Sequence, residues 1–236
     1  MTSFPETLAR ALRSNPGGPF VTFYDEASGE RQELSTTTYA NWVAKASGLL
    51  VDEHGLERGD SIRIDLPAHW LATVFLGAAW NTGLVVTDSE SPDAVVCGPD
   101  SLETWAEGAG KRPTLACSLL PFGVRFADPL PHGVHDVGIE VWGQPDAFTP
   151  WDPPSADDAA IAWSGVEKSH TDLFGGGGNS ARVLSTVPPA SPAGAELLAT
   201  LLTGGGSLVL ITNASADRLT VVASSERATQ FPHQSS

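Results

Sequence analysis

Lysine is scarce in this chain: among 236 residues only Lys45, Lys111 and Lys168 occur. With arginine the basic total reaches 13, against 28 Asp and Glu, for a formal net charge of −15. Such a surface repels polyanions over most of its area, which excludes nucleic acid and anionic membrane as partners. The same deficit opposes a nucleotide triphosphate unless basic groups gather at one place. Cysteine is nearly as rare. Cys97 and Cys117 both sit in apolar runs, AVVCG and TLACS, and read as buried thiols in strands rather than a disulfide or metal pair. Long hydrophobic runs are missing, so no segment spans a bilayer. The opening MTSFPETLARALRSN has neither the apolar stretch nor the small-residue cleavage site of a secretory leader. A cytoplasmic protein is expected, where the Asn213-Ala-Ser215 glycosylation pattern has no meaning.

What is present points to a core. Hydrophobic residues make up 41% of the chain and tryptophan occurs seven times, which suits one domain or two tightly packed lobes. Tyr39, Trp42, Val43, Ala46, Leu49 and Leu50 follow the spacing of one buried helical face, and Gly55 closes that helix. Ile62, Ile64 and Leu66 alternate as a strand that Pro67 stops. A helix over His69–Trp80 and strands at Leu84–Thr87, Ala94–Cys97 and Thr114–Cys117 continue the rhythm. Helices alternating with short apolar strands predict an α/β fold with largely parallel sheets flanked by helices.

Residues 121–158 break the pattern with recurrent Pro, Gly and Asp, and only Val137–Trp142 reads as a strand there. The expected organisation is an α/β lobe at 1–130 and a connecting segment at 131–158 with an edge hairpin. A second α/β lobe at 159–230 packs on the first, and a frayed tail occupies 231–236. In the second lobe a strand at Ile161–Trp163 leads into Ser164-Gly165 and a helical turn from Lys168. Gly175–Gly178, a strand at Arg182–Val187, a helix at Ala193–Leu202 and a strand at Ser207–Ile211 follow. A final amphipathic helix is placed at Asp217–Thr229.

Several stretches, in this order, resemble the N-terminal portion of the adenylate-forming superfamily of acyl-CoA synthetases, luciferases and peptide-synthetase adenylation domains. They are PFVTFYDEASGERQELSTTTYANWVAKASGLL, LERGDSIRIDLPAHWLATVFLGAAWNTGLVV, ARVLSTVPPASPAGAELLATLLTGGGSLVLI and SSERAT. The likeness covers most of this chain and less than half of a full-length member. It is closest in kind to short, degenerate bacterial relatives, for which it implies no particular activity. In active members the strand matching Ile161–Trp163 runs into a Ser/Thr- and Gly-rich loop ending Pro-Lys-Gly, and then a helix opening roughly Val-Glu-x-Ser-His. Here Val166-Glu167-Lys168-Ser169-His170 matches that helix, and Ser164-Gly165 stands alone in place of the loop. A polyphosphate cradle needs consecutive backbone N–H groups, hydroxyls and a cation, which two residues do not supply.

Other losses point the same way. Lys168 falls beyond the loop position and reads as a solvated side chain. Pro188-Pro189-Ala190-Ser191 carries Ser191 where the resemblance leads one to expect His. The family's Mg-binding Glu, ribose-binding Asp and catalytic Lys match no residue here, so adenylation is expected to be lost. Gly175–Gly178 leaves a helix for a strand, the wrong polarity for an anion site, and reads as a flexible stub. His132, His135 and Asp136 lack a matching fourth ligand and read as a solvated loop. Ser164 with His170 lacks both a nucleophile elbow and a third member. Arg58 and Asp60 are expected to face solvent, and Asp157-Asp158 to edge a loop.

The expectation is a non-catalytic relative with no catalytic residue, metal or cofactor, acting by contact with a protein partner or by sensing a small ligand. Loss of a partner half is expected to expose apolar surface, which self-association as a homodimer could cover. The alternative is a residual acyl or adenylate binder, with a pocket at the carboxyl ends of the strands. Its ligand-contacting candidates are Ser164, Gly165, Ser185, Thr186 and Ser191, with Gly204–Gly206 facing the same pocket.

Overall fold

The computed structural model describes residues 2–231. The chain begins with helix α1 (Phe4–Ser14), strands β1 (Pro19–Asp25) and β2 (Glu30–Ser35), and helix α2 (Thr36–Gly48), which runs on into a π-helical turn at Leu49–Glu53. Next come β3 (Ser61–Asp65), α3 (Trp70–Thr82), β4 (Val85–Thr87), β5 (Ala94–Cys97) and α4 (Leu102–Ala106). They are followed by β6 (Thr114–Ala116), β7 (Val134–Asp136) and α5 (Val137–Glu140). The remainder holds β8 (Ala159–Trp163), β9 (Val166–Ser169), α6 (His170–Phe174), β10 (Arg182–Ser185) and α7 (Pro192–Gly204). It finishes with β11 (Ser207–Thr212), α8 (Ala216–Ser225) and β12 (Thr229–Gln230).

These strands build two sheets, ordered β12-β10-β11-β1-β2 and β7-β6-β5-β3-β4-β8-β9. Neighbours are parallel except in the hairpins β1–β2 and β8–β9. This is the mixed α/β architecture anticipated, with helices on the sheets. Parallel neighbours need a crossover between them, so pairing reaches far along the chain. Each sheet therefore draws strands from both sides of the 131–158 segment. The ranges 1–130 and 159–230 share both sheets, and one apolar cluster joins Phe4, Val21 and Trp70 to Phe174, Leu198 and Leu210.

Helix α3 lies at the centre, touching β1 of one sheet and β3 and β4 of the other. Its sequence WLATVFLGAAWNT is apolar on every side, the pattern of a helix with no solvent face, and every residue but Asn81 is buried. Full burial of Leu71, Val74, Phe75 and Leu76 contributes about 1.5–3 kcal/mol each. Gly77 lets α2 approach: a Cβ there would stand 2.5 Å from the Tyr39 hydroxyl and 2.7 Å from Val43. Tyr39 uses that proximity to donate to the Thr73 carbonyl at 3.0 Å. Any larger residue at 77 would force the two helices apart.

Three sequence expectations are corrected here. Val137–Trp142 is helical rather than a strand: Asp136 Oδ1 accepts the Gly138 N–H at 2.9 Å and starts α5. The apolar spacing that mattered was Val137 with Val141, both buried, while Ile139 between them is 57% exposed. The antiparallel edge hairpin is β8–β9, not part of 131–158, where β7 instead extends the sheet in parallel beside β6. The last helix stops at Ser225, because Arg227 turns left-handed (φ +52°) and Thr229–Gln230 pairs with β10. Of the expected tail, Phe231 is held by a 2.7 Å bond from its N–H to the Leu184 carbonyl, and 232–236 lie outside the described residues. Cys97 and Cys117 are buried and unpaired, as read, and burial pushes the Cys97 thiol up to about 12.

Candidate functional site

At the end of β8 the chain reverses. Ser164 (φ +51°) and Gly165 (φ +77°) both occupy the left-handed region, the backbone signature of a two-residue type I′ hairpin turn. Trp163 pairs with Val166 and Ala162 with Glu167. Residues 166–168 therefore form a strand, not the helix start that the resemblance implied. The helix, α6, begins only at His170. Serine is an uncommon occupant of a left-handed position, and Asp88 holds it there. The Asp88 Oδ2 accepts the Ser164 N–H at 2.9 Å and its hydroxyl at 3.1 Å. A carboxylate thus occupies the donors that an anion would need.

The N-terminus of α6 is closed in the same way. Ser169 Oγ accepts from Asp172 N–H at 3.2 Å, and Asp172 accepts from Ser169 N–H and Oγ, each at 2.8 Å. Those bonds from the Ser169 backbone and side chain hold the Asp172 carboxyl below its usual range. Lys168, in β9, pairs with Glu196 of α7 and ties the hairpin to that helix.

Ser185, Thr186 and Ser191 line the connection from β10 to α7, at the carboxyl edge of the smaller sheet. Ser185 is 1% exposed and its Oγ accepts the Val187 N–H at 3.0 Å. Ser191 caps α7, accepting from Gly194 N–H at 3.1 Å and donating to the Pro188 carbonyl at 2.7 Å. Gly204–Gly206 are not with them. β10 and β11 run parallel in register Arg182↔Ser207 to Ser185↔Leu210, so these glycines lie at the opposite, amino edge, roughly a strand length of 10 Å away. There they permit backbone packing: a Cβ on Gly178 would stand 2.2 Å from Gly204 N, and one on Gly206 2.3 Å from the Asn179 carbonyl. Gly178 is thus a packing glycine, not part of a loose stub.

His170 is fully buried and does not meet Ser164. Its Nδ1 accepts the Phe4 N–H at 3.2 Å, its Nε2 has no partner among the described residues, and burial pushes its pKa down to about 4. Desolvation does the same to His69, also down to about 4. His69 Nδ1 caps α3 by accepting the Leu71 N–H at 3.2 Å. Burial raises the Glu30 carboxyl, and the Trp70 indole facing it offsets part of that rise. Arg58 is not a free solvent-facing charge. It grips Asp158 through two bonds of 2.6 and 2.8 Å and reaches Asp152 at 3.1 Å. That guanidinium holds the Asp158 carboxyl down to about 2.

A cluster the sequence did not reveal lies where the π-helical turn meets α5. His54 Nε2 stands 2.9 Å from Glu140 Oε2 and His135 Nδ1 2.9 Å from Glu140 Oε1, and the two ring centroids are 4.4 Å apart. Asp136 is occupied elsewhere, capping α5 and accepting the Phe126 N–H at 3.0 Å. Of the trio His132, His135 and Asp136, only His135 joins the cluster. Its partner His54 is far away in sequence, where spacing gives no signal.

Two sheets flanked by helices and enclosing α3 match the N-terminal-domain architecture of adenylate-forming acyl-CoA synthetases and ligases. The coronafacic acid ligase of Pectobacterium brasiliense superposes with a TM-score of 0.75 at 15% identity, covering 96% of this chain and 49% of that one. The acyl-CoA synthetase of Brucella canis gives 0.74 at 15% identity, over 94% and 46%. The N-terminal domain of FACL13 from Mycobacterium tuberculosis gives 0.70 at 14%, over 97% and 62%. The chain spans about half the length of the two larger enzymes. No protein-family model matches it. A Mycobacterium tuberculosis protein described as a TIGR03089 family protein is 38% identical over 229 residues, 89% of this chain and 91% of that protein. The chain belongs to that family. No helix among the described residues is long and apolar enough to cross a membrane.

Proposed function

We propose that the protein is a non-catalytic relative of the adenylate-forming enzymes, working through protein contact or by sensing a small ligand. One observation carries this reading: where a phosphate loop would leave β8, a two-residue turn gives its N–H and hydroxyl to Asp88. A carboxylate at that point repels phosphate, and the only lysine nearby in sequence is paired with Glu196. Protein contact has a surface to use. Phe122 (67% exposed), Ile139 and Trp142 lie where the 119–125 segment crosses α5 beside Trp42. A second copy of the chain is the occupant we favour.

The second reading is a residual acyl or adenylate binder. It rests on the place of Ser185, Thr186 and Ser191 at the carboxyl edge of a parallel sheet, where α/β folds collect ligands. Thermal-shift and calorimetric titrations with Mg·ATP, AMP, acyl-CoA and fatty acids separate the two. The first reading expects no response to Mg·ATP and no carboxylate-dependent pyrophosphate exchange. Stoichiometric micromolar uptake of Mg·ATP would overturn it.

A further inference from the structure

The cluster at the π-helical turn brings two imidazoles and a carboxylate together from three separate elements. His54 is the cap residue of the π turn, His135 lies in β7 and Glu140 ends α5. One ligating atom from each lies within 4.8 Å of the others. We propose that these three side chains form a binding site for a first-row divalent cation of the zinc class. The donor set decides the class: two neutral nitrogens and one carboxylate suit zinc, cobalt or nickel, whereas magnesium and calcium want oxygen.

The site is built rather than incidental. The His54 side chain is only 6% exposed, and its direction is set by the π turn, through the bond from His54 N–H to the Leu49 carbonyl at 3.1 Å. Single π turns inside α-helices recur at functional sites. Glu140 is positioned by α5, which Asp136 starts, and Lys45 of α2 reaches Asp146 at 2.9 Å to hold the segment that follows. Tetrahedral coordination needs donor atoms about 3.3 Å apart, so small ring rotations bring the set onto one ion. The His135 side chain is 39% exposed. With Glu140 it borders a hollow of about 430 Å³ shared with Arg125, Asp128 and Leu130. Three protein ligands beside such a hollow leave the fourth position for water. The chain's net charge of −15 raises the local concentration of cations.

The test is a titration of chelator-stripped protein with cobalt and zinc, each ion alone, read by cobalt absorption and by competition with a chromophoric chelator. One equivalent is expected to bind tighter than about 10 μM, with the visible bands of four-coordinate cobalt. A hundredfold excess over Kd raises the melting temperature by roughly 5–10 °C. His135→Ala and Glu140→Gln weaken binding by about tenfold or more. His132→Ala, which removes a histidine outside the cluster, leaves affinity unchanged. Because His135 is part-exposed, its variant folds even if the Glu140 variant does not, and circular dichroism checks that. Absence of stoichiometric uptake, or wild-type affinity in His135→Ala, overturns the site and leaves the cluster a hydrogen-bonded brace. Neither result bears on the loss of the phosphate loop.

Discussion

The turn after β8 and the junction of the π-helical turn with α5 hold the same kinds of side chain in opposite states. Around the turn, serine hydroxyls and carboxylates satisfy one another. Ser164 is on Asp88, and Ser169 and Asp172 cap α6 between them. The one histidine there, His170, is sealed among Phe4 and Phe174, and burial outweighs the pull of the Asp158 carboxylate on its pKa. At the junction, two histidines converge on Glu140, and one of them is open to solvent. The difference lies in exposure and donor type rather than in sequence distance: Ser164 and Asp88 are 76 residues apart and still satisfy each other, whereas the His135 side chain beside Glu140 stays 39% exposed.

The largest effect that tests this contrast is acid sensitivity. His170 and His69 titrate near 6.5 when unfolded and at about 4 in the fold, because burial disfavours their charged form. Between those values the unfolded chain binds protons that the folded chain refuses. Stability is therefore complete above about pH 6.5 and falls as pH drops toward 4, by roughly 3 kcal/mol per histidine. Urea unfolding followed from pH 7 to 4.5 measures it. His170→Asn keeps an acceptor for the Phe4 N–H and removes about half the loss; an unchanged loss means His170 is not sealed.

Asp88→Ala comes next. It strips the acceptor from the Ser164 turn and costs about 1 kcal/mol, limited by solvent exposure. Titrating Asp88→Ser with Mg·ATP sharpens the point. Continued absence of binding shows that the geometry of the turn excludes phosphate. Recovered binding shows that the carboxylate alone did so. The smallest effect is Ser164→Asn, which suits a left-handed position better and raises stability by about 0.5 kcal/mol. Self-association is the separate test of the exposed face. Light scattering across a wide concentration range is expected to show a dimer that Phe122→Asp disrupts, and a monomer throughout breaks that reading.

Periodicity made α2, α3 and most strands legible, because burial on one face or on all faces leaves its period in the apolar residues. The fold class followed from their alternation. What escaped was decided elsewhere. Ser164-Gly165 carries a hairpin signal, serine then glycine between two extended stretches, which the resemblance of residues 166–170 to a helix start hides. Val137, Ile139 and Val141 fit both a strand and a short helix, and Asp136 as cap settled the matter. The Gly204–Gly206 run read as a ligand loop until strand direction placed it at the other edge of the sheet. His54 and Glu140 gave no local sign of meeting at all.

The interleaving of the sheets carries a consequence for how the chain acquires its shape. Val21 in β1 has its parallel neighbour at Leu208 in β11, and Val86 in β4 has one at Ile161 in β8. During synthesis the early strands emerge with an apolar face and an unfilled edge, and they wait for residues still inside the ribosome. Pairing over such separations slows folding in general, so slow refolding that loses yield as protein concentration rises is the expected outcome.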